Sequence, residues 1–293
     1  MNLAQILLLA AGALAAALLT SAKIIGADVP PGQIIFSLGI YSFLPSLIYF
    51  GLRGDIPYRL YLKAPLLQIS MGLGVCAAFW LLLLVLNTNS LLISALLVFM
   101  LSALRLAEWY RRRTQKMDEY ARLGIELAGF GTLMFALPLL LSATIVPSNL
   151  LTLLAFALFA ALLGARQSKP IQQRWRQMWP SALGFYASLL AVIVGLFSAG
   201  QGWVNPSPAE SFHLVWIGVL FGLIQIAIVH AIRLSSPKRF NYSFETGFLV
   251  MVTFIEIVYF RERPASNILF ALPFFLTALI FMSWQRWPSK GRS

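Results

Sequence analysis

Long apolar runs, separated by short polar breaks, recur ten times along this chain: Leu3–Thr20, Gln33–Gly51, Ala64–Leu86, Ser90–Ala107, Gly124–Leu141, Asn149–Ala165, Ser181–Ala199, Phe212–Ile232, Phe244–Phe260 and Ala265–Trp284. An α-helix crosses a bilayer with roughly 20 mostly apolar residues. Each run therefore predicts one transmembrane helix, the fourth, sixth and ninth being short and needing little tilt. The fold class expected is all-α and integral to a membrane.

The basic residues orient these helices. With the N-terminus inside, 19 of the 22 lysines and arginines fall in cytoplasmic segments, from Arg53, Arg59 and Lys63 through the cluster Arg111, Arg112 and Arg113 to Arg286, Lys290 and Arg292. Only Lys23, Arg261 and Arg263 fall outside. One span more or fewer in the middle would scramble this alternation, so ten spans with both termini inside satisfy the positive-inside rule. The start Met1-Asn2-Leu3-Ala4-Gln5 lacks the basic region of a cleaved signal, so the first run reads as a retained span.

Composition agrees. Of 293 residues, 59% are hydrophobic and 11% charged, with a mean hydropathy of +0.81; soluble domains run nearer a quarter charged. The net charge of +12 is spread between the apolar blocks, which suits membrane orientation and not a nucleic-acid partner. Cys76 stands alone, so no intrachain disulfide forms, and it reads as a small packing residue. No closely spaced His or Cys set suggests a metal. No GxxxxGK[ST] loop is present, and no cofactor is implied.

Ten spans divide into five and five, at residues 1–143 and 144–293. Because five is odd, the second half enters the membrane with the opposite orientation, the arrangement of inverted repeats with a site between them. Leu106-Ala107-Glu108-Trp109 closes the fourth run, Gly124 to Gly129 open the fifth, and Tyr259-Phe260-Arg261-Glu262 closes the ninth. With Pro30-Pro31-Gly32-Gln33 and Leu44-Pro45 in the second run, these segments resemble the drug/metabolite transporter superfamily, particularly its ten-span EamA-type members. Glu108 and Glu262 match the family's turn glutamates. The resemblance implies a transporter of small organic solutes in the cytoplasmic membrane. The arginines many relatives carry in the second and third helices are absent here, where the chain reads Phe36-Ser37-Leu38-Gly39 and Gln68-Ile69-Ser70-Met71.

Ionisable groups inside a bilayer are costly and point to function. Glu256 lies well inside the ninth run and Glu245 eleven residues earlier, about 20° apart around the helix, so both can face one interior. A desolvated carboxylate there suits proton coupling; its bland role is a bond to a neighbouring helix. Gln225 is a mid-depth amide in the eighth run that can hydrogen-bond a solute or another helix. Tyr41 and Ser42, Gln68 and Trp80, and Tyr186 and Ser188 are candidates to line a semi-polar cavity. His213 and His230 read as satisfied side chains near the two ends of their helix. Glu126, near the inner end of the fifth run, is discounted as a solute residue. Gly218 and Gly222 form a GxxxG that permits close packing within the chain and leaves a homodimer open.

The expectation is a secondary transporter, not an enzyme, exporting an amino acid, metabolite or drug-like solute by alternating access. The alternatives are a non-transporting partner subunit, which the missing arginines favour, and a lipid-modifying enzyme, which the scattered Asp28, Asp55 and Asp118 disfavour.

Overall fold

The computed structural model describes residues 3–53, 65–86, 91, 119–141, 180–234, 243–261 and 266–284. They form eight long helices: α1 (Leu3–Ile25), α2 (Pro31–Arg53), α3 (Pro65–Leu86), α4 (Glu119–Leu141), α5 (Pro180–Phe197), α6 (Pro208–Leu234), α7 (Ser243–Ile255) and α8 (Ser266–Trp284). No strand occurs among the described residues. Four helices are long and apolar enough to cross a membrane: α1, α2 as far as Tyr49, α6 as far as Ala231, and α7 with the turn that follows it. Eight of the ten expected spans have their helix, with ends within a few residues. The expected spans Ser90–Ala107 (apart from Leu91, which is helical) and Asn149–Ala165 lie outside the described residues.

Local chemistry explains several helix starts. α2, α3, α5 and α6 each begin on a proline. At the first helical position the missing N–H is no loss, and the ring pre-sets φ. α6 adds a capping box: Glu210 N–H donates to Ser207 Oγ at 3.3 Å, and Ser207 N–H donates to Glu210 Oε2 at 2.5 Å. That cap starts the helix four residues before the apolar run at Phe212.

α2 is turned inside out relative to a water-soluble helix. Ser37, Ser42 and Ser46 are buried, while Ile40, Leu44, Leu47 and Ile48 are exposed. Water would penalise that face. Hydrocarbon does not, and in hydrocarbon the polar groups must instead turn inward to find partners.

Small residues let the helices touch. On α1, Gly12 lies against the backbone of Phe244 and Phe248, and Gly247 of α7 lies against Leu9. α2 packs against α5 through Gly39, facing Ser188 and Val192, and through Gly195, facing Phe36. It packs against α6 through Gly218, facing Ser37 and Tyr41, and Gly222, facing Ser42 and Pro45. The GxxxG therefore serves packing within the chain. These contacts set directions: α1 and α7 run parallel, α2 and α6 parallel, and α2 and α5 antiparallel. α4 and α8 run antiparallel, with Tyr120 stacked near Phe281 and Phe130 against Phe274.

In the α1–α7 contact a side chain at position 12 would collide with main chain. Gly12→Leu should cost about 1–3 kcal/mol, as overpacking does. Its melting temperature in detergent should fall by several degrees, while Gly129→Leu, where nothing lies within 4 Å, should leave it unchanged.

Candidate functional site

The helices α2, α5 and α6 meet near their midpoints, where Ser42, Ser46 and Ser188 are buried. Ser42 and Ser188 are fully buried, and their hydroxyl oxygens share a hydrogen bond of 2.6 Å across the α2–α5 contact. The Ser42 hydroxyl also lies 2.7 Å from the Gly39 carbonyl oxygen, and Ser46 Oγ donates to the Ser42 carbonyl at 3.3 Å. One turn further on, Pro45 sits inside α2, which continues to Arg53. It has no N–H to give the Tyr41 carbonyl, so the main chain there lacks its ordinary helical donor.

Gln225 belongs to the same region by periodicity. It stands three residues after Gly222 and seven after Gly218, and so falls on the stripe of α6 that meets α2. It is half-buried, an amide that packing does not seal. The crossing thus carries hydroxyl, amide and main-chain carbonyl groups and no ionised side chain from these three helices. Such groups can exchange hydrogen bonds with a solute but cannot neutralise a charge.

The other candidates are dispersed. Tyr41 is 39% exposed, and the base of its side chain lies against Gly218. Tyr186 is half-buried and edge-on to Phe185, whose ring meets Phe43 at 5.1 Å. Trp80 reaches the first turn of α2, away from the crossing, at Gly32. Gln68 is on α3, but its side chain lies outside the described residues. His230, near the C-terminal end of α6, shares a hydrogen bond of 2.8 Å with Tyr49 Oη. Arg122 donates to Glu126 at 2.8 Å on the exposed start of α4. That bond and the nearby carboxylate raise the guanidinium pKa above its already high value.

Glu256 has different surroundings. It is 0% exposed and opens a π-helical turn, Glu256–Phe260, that continues α7 and ends at Arg261 in the left-handed region, φ 53°. Its Oε1 accepts the Leu91 N–H at 3.0 Å and lies 3.9 Å from the Lys23 ammonium. The same ammonium sits 4.6 Å from the centre of the Phe260 ring. Lys23, expected in an outer loop, instead belongs to α1, which runs on past Thr20 to Ile25. The reason is electrostatic: a largely buried ammonium, 14% exposed, is tolerated when an opposite charge and an aromatic face receive it. Glu245, 4% exposed in the first turn of α7, occupies the opposite end of the helix. The two carboxylates share the buried face of α7, as their spacing predicts, yet neither is on the helices of the serine crossing.

No family model matches the chain, and no curated protein matches it in sequence. A solved structure described as "Crystal structure of protein" has the same fold, with a TM-score of 0.68. The match covers 96% of this chain and 95% of that one, at 13% identity.

Breaking the ion pair from one side should cost more than removing it. Lys23→Met strands a buried carboxylate and should destabilise the protein by about 3–5 kcal/mol, whereas replacing both partners should come close to neutral. Melting curves of Lys23→Met and of Lys23→Met/Glu256→Gln test this; equal losses would mean that the pair is not coupled.

Proposed function

We propose that this chain is a secondary transporter that moves a small organic solute across the cytoplasmic membrane by alternating access, in the direction of export. It would be built as two inverted five-helix halves, residues 1–143 and 144–293, in the manner of EamA-type members of the drug/metabolite transporter superfamily. The observation that carries the reading is the serine pair, which joins α2 of one half to α5 of the other at mid-depth, with the half-buried Gln225 on the neighbouring helix. Inverted-repeat transporters hold their solute at such a position.

Helix directions support ten crossings. With crossings at the eight described helices alone, α4 and α8 would run parallel, yet they run antiparallel. An odd number of further crossings between α4 and α5 restores agreement. The antiparallel α2–α5 contact then calls for an odd number between α3 and α4. On this reading the apolar runs 90–107 and 149–165 would supply one each.

Helix pairing supports the inverted halves. Matching each span to the one five later pairs α2 with α5, α3 with α6, and α4 with α8. Under that exchange the α2–α5 and α4–α8 contacts map onto themselves. The α2–α6 contact maps onto α3–α5, and α2–α3 maps onto α5–α6. All six contacts occur.

Solute binding belongs, on this reading, to the crossing of α2, α5 and α6. Proton coupling through Glu256 would require its contact with Lys23 to open during the cycle. A non-transporting partner subunit would have no use for an unsealed amide at mid-depth.

Reconstituted protein should carry at least one solute from a metabolite screen in proteoliposomes. For that solute, Gln225→Leu should lower flux at least tenfold while leaving the melting temperature in place. A native chain that moves nothing, in a screen where a known exporter succeeds, would overturn the proposal. Glu256→Gln should abolish the response of flux to a pH gradient if Glu256 carries the coupling proton; an unchanged response assigns it to anchoring alone.

A further inference from the structure

The outer ends of α2, α3 and α5 meet under a short irregular strap, residues 198–207, that joins α5 to α6. After a three-residue 3-10 turn, Ala199–Gln201, the strap reverses at Gly202, whose φ of 86° suits glycine. It then lies back across the first turn of α2. Gln33, 7% exposed, grips it in both directions: Nε2 donates to the Val204 carbonyl at 2.9 Å, and Oε1 accepts the Val204 N–H at 3.1 Å. Trp203 adds a second hold. Its ring packs on Phe36 with centroids 4.9 Å apart, and its Nε1–H donates to Ser198 Oγ at 3.2 Å. Ser198 in turn lies against Gly32, where Trp80 arrives from α3.

An amide that satisfies both polar groups of one main-chain unit makes the contact specific to this register. The contact is also reversible, since both hydrogen bonds can be exchanged for water at an open surface. Nothing covalent closes the strap, and it joins the second half of the chain to the first.

We propose that this strap is the gate at the outer end of the passage, and that Gln33 is the latch that holds it shut. The inference rests on the transporter reading, because a gate needs a passage. It assigns to Gln33 a conformational role apart from solute binding. When the two hydrogen bonds part, Trp203 leaves Phe36 and Ser198, and the space between α2, α3 and α5 opens to the outside.

Cys76 provides a reporter. It is 6% exposed and lies one turn deeper than Trp80 on the same face of α3. In purified protein, a polar maleimide should modify Cys76 at least about fivefold faster in Gln33→Ala than in the native chain. Gln33→Glu, which keeps the acceptor and loses the donor, should fall between. If a variant fails to fold, Trp203→Ala serves, since it loosens the same strap from its other hold. Equal labelling rates in all folded variants would overturn the gate.

The second arm uses flux. In a Cys76→Ala background, Gln33→Cys/Val204→Cys bridged by a short bis-methanethiosulfonate should lose at least tenfold of its solute flux. Reduction should restore it. Undiminished flux with the bridge in place would overturn the gate even if labelling had changed. Should the native chain carry no solute, the transporter reading fails by itself, and the labelling arm still reports whether Gln33 holds the strap.

Discussion

Hydrocarbon offers no hydrogen bonds, and most of this structure follows from that. Each polar group among the apolar helices has to be met from within the protein. On α2 the serines face inward and the branched apolar side chains outward. At the ends of α1 and α7, a lysine and a glutamate are buried because each has the other, with an aromatic ring and a main-chain amide beside them. Where helices press together, glycine supplies the contact, since dispersion between close backbones stands in for the hydrophobic effect that lipid removes.

The same constraint separates two kinds of polar position. Glu256 is anchored: one carboxylate oxygen accepts the Leu91 N–H and faces the Lys23 ammonium at 3.9 Å, which ties the C-terminal end of α7 to that of α1. The serine crossing differs in chemistry, with hydroxyl groups paired to one another, the half-buried amide of Gln225 near them and Pro45 withholding one main-chain donor. Anchors hold a fold in register, and incompletely sealed positions are where a solute's own hydrogen bonds can substitute. On the proposed function the helices that matter most are α2, α5 and α6, although the two buried carboxylates, Glu245 and Glu256, are on α7 and the turn that continues it.

Much of the fold was legible because apolar length and basic punctuation act locally. The expected Gln33–Gly51 and Ser181–Ala199 correspond to Pro31–Arg53 and Pro180–Phe197. The shared buried face of Glu245 and Glu256 followed from the period of the helix, and the role of Gly218 and Gly222 from their spacing. Partnerships were not legible, since they join positions far apart in the chain. Nothing near Lys23 announces Glu256, and nothing near Gln33 announces Val204. Ser42 and Ser188 were recognisable as cavity candidates but not as each other's partner. The early start of α6 had a signal in Ser207-Pro208-Ala209-Glu210, a polar segment that precedes the apolar run at Phe212.

The central claim is that two halves of one chain enter the membrane in opposite senses and enclose the crossing between them. Single cysteines in corresponding loops of the halves, Arg112→Cys and Arg263→Cys in a Cys76→Ala background, test it most directly when labelled from each side of sealed vesicles. The account predicts reaction from opposite sides, with position 112 inside and position 263 outside. Reaction of both from the same side would contradict it.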